Sequence, residues 1–303
     1  ARQGPAGPDG RARSALLVLL LTAQLMVIVD IAAVNVALPD MARDLGIADA
    51  DIAGAITSYS LIFGSLLLLG GRAADLLGRR RTFLAGLGVF TAFSLASAVA
   101  ADDVVLFAAR AGQGLGAALL SPAALSIIVT TFTGPERTRA LGAWGAVGGA
   151  GAAVGVLVGG ALTELDWRAI FLINVPIGAV LLVGTLRTVR ADRERPEWRG
   201  LDLPGALLAT ASLAALVYAI SEVDTAGWTS ATALLIGGVA VVGLAAFAVL
   251  EARTAEPLLR VERIADRAIG GGLVLMASAS GILIGAFLMA RFAAPPMIAQ
   301  RFG

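Results

Sequence analysis

The chain has 303 residues, of which 58% are hydrophobic and only 15% charged, and its formal net charge is +1. This composition excludes an ordinary water-soluble globular domain and predicts a protein whose main solvent is lipid. Cysteine and histidine are absent from the sequence, which removes disulfides, thiolate chemistry and the commonest metal ligand. No metal site is therefore predicted, and metal-assisted or hydrolytic catalysis is disfavoured.

Apolar windows dominate the chain after a Gly-, Pro- and Arg-rich N-terminal segment, 1–14, which has a composition typical of disorder. Each window contains roughly twenty residues, the length that a helix needs to cross a bilayer. Nine such windows lie at 15–38, 52–70, 82–101, 104–131, 139–163, 169–188, 203–221, 230–250 and 268–290. Because lipid cannot satisfy an open backbone, we predict an all-α polytopic membrane protein.

The distribution of arginine predicts the orientation of these helices. Arginines concentrate in the N-terminal segment and in every second loop, whereas acidic residues collect in the intervening loops. Basic loops stay on the cytoplasmic side of a membrane. We therefore predict that the N-terminus is cytoplasmic.

A highly charged stretch from Gly71 to Arg81, with the sequence GRAADLLGRRR, separates the second and third windows. Its glycines allow the chain to reverse, and its arginines hold the turn at the membrane surface. Simple anchoring of the arginines to anionic headgroups is the competing interpretation. Asp75 does not fit that interpretation, because an acid weakens a basic patch.

Asp30 and Arg110 are the two ionisable residues placed near the middle of the predicted membrane helices. Counted from the expected helix ends, they lie about 12 and 9 Å below the same surface. A charge in hydrocarbon needs a partner, a wet cavity or, for an acid, a proton. The pair is therefore either a static ion pair or a site where Asp30 gains and loses a proton.

Few other polar residues are available to line an internal cavity, which favours lipophilic or amphipathic cargo over sugars. The candidate cavity residues are Gln24, Met26, Asn35, Tyr59 and Gln113. In the fifth window, Gly151, Gly155 and Gly159 recur every four residues, followed by Gly160. This spacing predicts a smooth face for close helix contact, either as plain packing or as part of a transport mechanism.

Four stretches of the sequence, in their order and spacing, resemble the N-terminal two thirds of a major facilitator superfamily drug:proton antiporter of the fourteen-span EmrB/QacA type. They are 29–39 (VDIAAVNVALP) for the first helix, 71–81 for the loop after the second, 106–118 for the fourth helix and 167–178 (WRAIFLINVPIG) for the junction of the fifth and sixth. Two departures stand out. Val156 replaces a proline of the antiporter motif, and Ala32 replaces a threonine of the first helix.

The resemblance implies roles for individual residues. Asp30 and Arg110 would couple transport to protons, and the fifth-window glycines, 151 to 160, would form the antiporter motif. The gating loop would contain Gly71, Asp75, Gly78, Arg79 and Arg80.

It also implies a major facilitator fold with a defined domain order. The expected parts are a six-helix bundle at 15–189, a charged cytoplasmic linker at 190–202 and an inserted helix pair at 203–252. Residues 253–303 would form a cytoplasmic loop and the ninth span, which begins an incomplete second bundle. Inverted-repeat transporters pair equal halves, so the odd number of spans predicts a truncated or partial chain.

These observations together predict a proton-driven exporter of hydrophobic or amphipathic small molecules in the bacterial cytoplasmic membrane. Its energy source would be the proton gradient, without a bound cofactor. Its partners would be lipid, substrate and protons but no nucleic acid. We expect a monomer. A metabolite facilitator or importer of the same superfamily and a non-transporting membrane fragment remain alternatives. An integral membrane enzyme is disfavoured because no nucleophile–base pair stands out.

Overall fold

The computed structural model describes residues 10–48, 51–189, 191–192, 203–227 and 229–253. They form helices and no strand. The helices are α1 (Gly10–Leu45), α2 (Gly54–Leu77), α3 (Arg79–Ala98), α4 (Asp103–Thr131), α5 (Gly134–Thr163), α6 (Ala169–Leu172), α7 (Asn174–Thr188), α8 (Leu203–Ala226) and α9 (Ala231–Glu251). The predicted all-α class is confirmed.

Seven helical segments in this described part are long and apolar enough to cross a membrane, with α6 and α7 together forming one of them. The eighth apolar helix, α8, has a shorter apolar stretch, Pro204–Ile220. Eight of the predicted windows therefore correspond to helices. The ninth, 268–290, lies outside the described residues.

Helix α1 is longer than predicted at both ends. It begins at Gly10, so the assignment of residues 10–14 to a disordered segment is wrong. There the Arg13 guanidinium lies 3.0 Å from the Glu136 carboxylate of α5, which fastens the first turns. Pro39 does not end the helix, which continues to Leu45, because proline removes only one backbone donor and Met41, just beyond it, is fully buried.

The reversal between α2 and α3 occurs at Gly78 alone, whose φ of +103° lies in the region that favours glycine. Gly71 and Asp75 lie within α2. The prediction that Gly71 takes part in the reversal is therefore wrong, since the Ala and Leu residues that follow it are strong helix formers and extend α2 to Leu77.

The chain divides into two compact units, Ala1–Phe247 and Ala248–Gly303, and in the second only residues 248–253 are described. Within the first unit, α1 packs against α5, and both α2 and α3 pack against α4. The glycine stripe of α5 makes the first of these contacts. A Cβ added at Gly155 would lie 2.6 Å from the Ala32 Cβ, whereas one added at Gly160 would meet open space.

Two buried apolar clusters fill the first unit. One contains Leu20, Met26, Val27, Phe83, Leu87, Phe90, Ala117, Leu120, Ile128 and Leu181, among others. The other contains Ala33, Val34, Met41, Ala98, Leu106, Trp167, Ile170 and Phe171, among others. Along α1 the first cluster ends at Val27 and the second begins at Ala33, which places Asp30 between them.

Candidate functional site

A layer of polar side chains lies between the two apolar clusters on four helices. Its members are at most 2% exposed. They are Asp30 of α1, Ser94 of α3, Arg110 and Gln113 of α4, and Asn174 of α7. In α1, α3 and α4 the polar residues fall between residues of one cluster and residues of the other, and Asn174 falls between Phe171 of α6 and Leu181 of α7. We call this set the polar layer.

Asp30 is the centre of the polar layer. Its Oδ2 accepts a hydrogen bond from Nη1 of Arg110 at 2.6 Å. Its Oδ1 accepts from Nδ2 of Asn174 at 2.9 Å and from Nε2 of Gln113 at 3.2 Å. Both carboxylate oxygens are therefore satisfied by donors from α4 and α7, in a site that water does not reach.

Arg110 is held by more than its ion pair with Asp30. Its Nε donates to the Ala55 carbonyl at 3.1 Å, and its Nη1 also donates to Oε1 of Gln113 at 2.8 Å. The guanidinium carbon lies 4.4 Å from the centre of the Tyr59 ring, a cation–π distance. These contacts compensate the cost of removing the guanidinium from water.

Serines of α3 extend the layer. Asn174 donates to Oγ of Ser94 at 2.9 Å, and Ser94 in turn donates to the carbonyl of Phe171 at 3.0 Å. Ser97 donates to Oε1 of Gln113 at 3.3 Å. Asn174 is the first residue of α7, and the backbone between α6 and α7 keeps helical dihedral angles at Ile173. Sequence reasoning counted Asn174 among the few polar residues that could face a cavity, but it did not pair Asn174 with Asp30. It missed both serines, whose three-residue spacing on an apolar helix was the available signal.

Asp30 links α1 to α4 and α7 through the three hydrogen bonds that its carboxylate accepts. An ionised carboxylate accepts hydrogen bonds only, whereas a protonated one also has a hydroxyl that donates. A proton on Asp30 would therefore add a donor beside Arg110, Gln113 and Asn174, and it would remove the charge that Arg110 faces.

The predicted cavity residues do not share one cavity in the described part of the chain. Tyr59 and Gln113 meet at Arg110, and Met26 belongs to the same apolar cluster as Tyr59. Asn35 is exposed and donates to the carbonyl of its own helix at Ile31, at 2.8 Å. Gln24 is half-buried. Its Oε1 and the Tyr59 hydroxyl have no hydrogen-bond partner among the described residues.

The predicted gating residues are spread over the junction of α2 and α3. Asp75 is exposed on α2, Gly78 forms the turn, and Arg79 and Arg80 begin α3. The Asp192 carboxylate caps α3 by accepting from the backbone N–H groups of residues 80 and 81, at 3.3 and 3.0 Å. Sequence reasoning missed this cap, because nothing local links Asp192 to a helix more than a hundred residues earlier.

On the opposite side of the polar layer from Gly78, a surface ion pair connects the segment between α5 and α6 with the end of α1. Nη1 of Arg168 lies 2.5 Å from Oδ2 of Asp44, which also accepts from the Trp167 indole at 3.1 Å. Arg168 donates to the carbonyl of Ala100 at 3.2 Å as well. The Trp-Arg pair of the 167–178 pattern thus ties the end of α1 to the end of α3.

Comparison with known proteins places these features in a family. The Major Facilitator Superfamily model matches residues 20–302. The puromycin resistance protein pur8 of Streptomyces alboniger is 46% identical over 93% of this chain and 56% of its own length. The cephamycin export protein CmcT of Amycolatopsis lactamdurans is 45% identical over 90% of this chain and 57% of its own length. The chain thus spans little more than half the length of these relatives.

A solved structure shows the same fold. The crystal structure of a mutant peptide transporter POT in complex with sulfate superimposes with a TM-score of 0.60 at 18% identity, over 82% of this chain and 54% of that one. At this identity the likeness concerns the fold alone. Together with the family match and the seven apolar helices, it leads to one conclusion: the chain is a multi-pass membrane protein that belongs to the Major Facilitator Superfamily.

Proposed function

We propose that the chain is part of a secondary active exporter that moves lipophilic small molecules out of a bacterial cell in exchange for protons moving in. The names of its relatives support the direction, since one is a puromycin resistance protein and another a cephamycin export protein. The proton gradient would be the energy source, without a bound cofactor.

The observation that carries the proposal is the buried pair of Asp30 and Arg110, 2.6 Å apart and each 1% exposed. A buried ion pair is a poor way to stabilise a protein, because desolvation offsets the attraction. In a membrane helix such a carboxylate points to a functional role, with proton relays a frequent one. Protonation of Asp30 would release Arg110 and loosen the contact between α1 and α4 during alternating access.

The chemistry of the interior supports lipophilic cargo. The helices contain long apolar faces, and five of the twelve buried polar side chains in the described part of the chain form the polar layer, where they satisfy one another. A sugar would need many free hydrogen-bonding groups along its path. Tyr59 lies buried against Arg110 with its hydroxyl unpaired among the described residues, and a conformation that opens the polar layer would present this side chain to an amphipathic or aromatic substrate.

The topology is part of the same proposal. The N-terminus and the arginine-rich turn at Gly78 would face the cytoplasm, following the charge bias. The bundle at 15–189, the linker at 190–202 and the inserted pair at 203–252 would belong to a fourteen-span monomer. The turn, with Asp75 exposed beside it, would act as the cytoplasmic gate.

The proposal is tested with the complete gene product in everted membrane vesicles, with puromycin as the probe. We expect puromycin transport that stops when the proton gradient is collapsed. Asp30→Asn should abolish the proton-driven component, whereas Asp40→Asn, which removes a carboxylate from the exposed end of the same helix, should leave it intact. Transport that ignores the gradient in the unmodified protein would indicate a facilitator, and full proton-driven transport by Asp30→Asn would remove this residue from the mechanism.

A further inference from the structure

A pocket of about 390 Å³ lies at the end of the first unit where α1 and α3 begin and α4 and α7 end. Its lining residues include Arg13 of α1 and both Arg79 and Arg80 of α3. Threonines 130, 131 and 188 and the Asp192 side chain complete the polar part of the wall. We call this site the arginine pocket. Arg13 lies seventeen residues before Asp30 on α1, about 26 Å away along the helix, so the pocket is separate from the polar layer.

The charges of the arginine pocket are not balanced by its own residues. Three guanidinium groups face one carboxylate, Asp192, and that carboxylate already caps the backbone of α3. Arg13 pairs with Glu136 through Nη1, and Arg80 donates through Nη2 to the carbonyl of Leu186 at 2.9 Å. The wall therefore keeps an excess of positive charge.

Each of the three arginines also has an unused donor. The Nε atoms of Arg13, Arg79 and Arg80 are buried, and none has a hydrogen-bond partner among the described residues. A buried N–H group without an acceptor is costly, and native proteins rarely leave one unsatisfied. Three guanidinium groups with incomplete hydrogen bonding around one pocket favour an acceptor with several negatively charged oxygens. Such an acceptor would meet their terminal Nη atoms, because the Nε atoms are closed to solvent in this arrangement.

We propose that the arginine pocket binds a phosphate group, either of an anionic lipid headgroup or of a free phosphate. Guanidinium groups match phosphate oxygens in geometry and charge, and the volume falls within the range of small-ligand pockets. A basic pocket between membrane helices at the bilayer surface is also the setting in which acidic headgroups bind.

The test measures thermal unfolding of the purified chain in detergent during titration with two probes. One is inorganic phosphate and the other is dihexanoyl phosphatidic acid, with dihexanoyl phosphatidylcholine as a lipid control. We expect a saturable rise in the unfolding temperature. A rise with phosphatidic acid at lower concentration assigns a headgroup, and a rise with inorganic phosphate alone assigns a free anion. No saturable rise with either probe overturns the proposal.

Two arginines of one triplet provide a matched comparison. Arg79→Gln should weaken the apparent dissociation constant about tenfold, the loss expected for one charge-assisted hydrogen bond. Arg81→Gln changes the net charge equally, but Arg81 does not line the pocket, so binding should be retained. Equal weakening by both substitutions would show unspecific attraction to a basic surface and would contradict a defined site.

A third variant keeps the test valid if Arg79→Gln fails to fold. Ala12 lines the pocket, and Ala12→Glu would supply a carboxylate from within the chain. We expect this variant to unfold at a higher temperature without any probe and to lose the response to phosphate and phosphatidic acid. A lower unfolding temperature combined with an unchanged response would contradict the proposal.

Discussion

Neutralising both members of the buried pair should destabilise the protein by less than the sum of the two single neutralisations. Arg110→Gln leaves the Asp30 carboxylate, 1% exposed, with only the amide donors of Gln113 and Asn174. Removing one partner of a buried pair costs about 3–5 kcal/mol. Asp30→Asn should cost a similar amount, because the guanidinium then keeps only the carbonyl oxygens of Ala55 and Gln113.

The double variant Asp30→Asn with Arg110→Gln removes both charges at once. We expect its loss of unfolding free energy to be smaller than the sum of the single losses by about 2–3 kcal/mol, within the range measured for residues in one network. The assay is denaturant unfolding in mixed micelles at neutral pH. The exposed pair of Asp40 and Arg43 on the same helix serves as the control, with a coupling below about 1 kcal/mol. Additive losses at Asp30 and Arg110 would refute the reasoning.

The remaining predictions concern packing and capping. Gly155→Ala should destabilise the protein by about 1–3 kcal/mol in the same unfolding assay, because its Cβ would meet the α1 backbone as well as a side chain. Gly160→Ala should be neutral or stabilising by up to about 1 kcal/mol. Equal effects of the two substitutions would contradict the packing of α5 on α1. Asn174→Ala should cost about 1–3 kcal/mol because it removes the shorter of the two hydrogen bonds to Oδ1 of Asp30, and an unchanged stability would mean that this bond contributes nothing. Asp192→Ala should speed hydrogen exchange in the first turn of α3 by removing a cap worth about 0.5–2 kcal/mol, and unaltered exchange there would exclude the cap.

The sequence was sufficient to expect that Asp30 meets Arg110. Each is the single ionisable residue near the middle of its apolar helix, and a charge inside the hydrocarbon region requires a polar or charged partner. The helices themselves were equally predictable from the length of the apolar windows. The turn at Gly78 followed from its position between an apolar run and an arginine triplet, although Gly71 was wrongly included in it.

The rest depended on information that a single sequence does not contain. Ser94 and Asn174 join the polar layer because of the rotation of α3 and α7 relative to α1, which hydropathy does not specify. The cap by Asp192 depends on where a charged linker returns to the bundle. The length of α1 was underestimated because the prediction followed the apolar window 15–38, whereas packing of Met41 in the second apolar cluster extends the helix beyond that window.

Proton release on substrate binding tests the central role of Asp30 most directly. The measurement uses the purified complete gene product in a weakly buffered solution with a pH-sensitive dye, and puromycin is added as the probe. We predict that puromycin releases protons from the unmodified protein and from Asp40→Asn but not from Asp30→Asn, because substrate and proton exclude each other in an exchange mechanism. Undiminished proton release from Asp30→Asn would contradict the account.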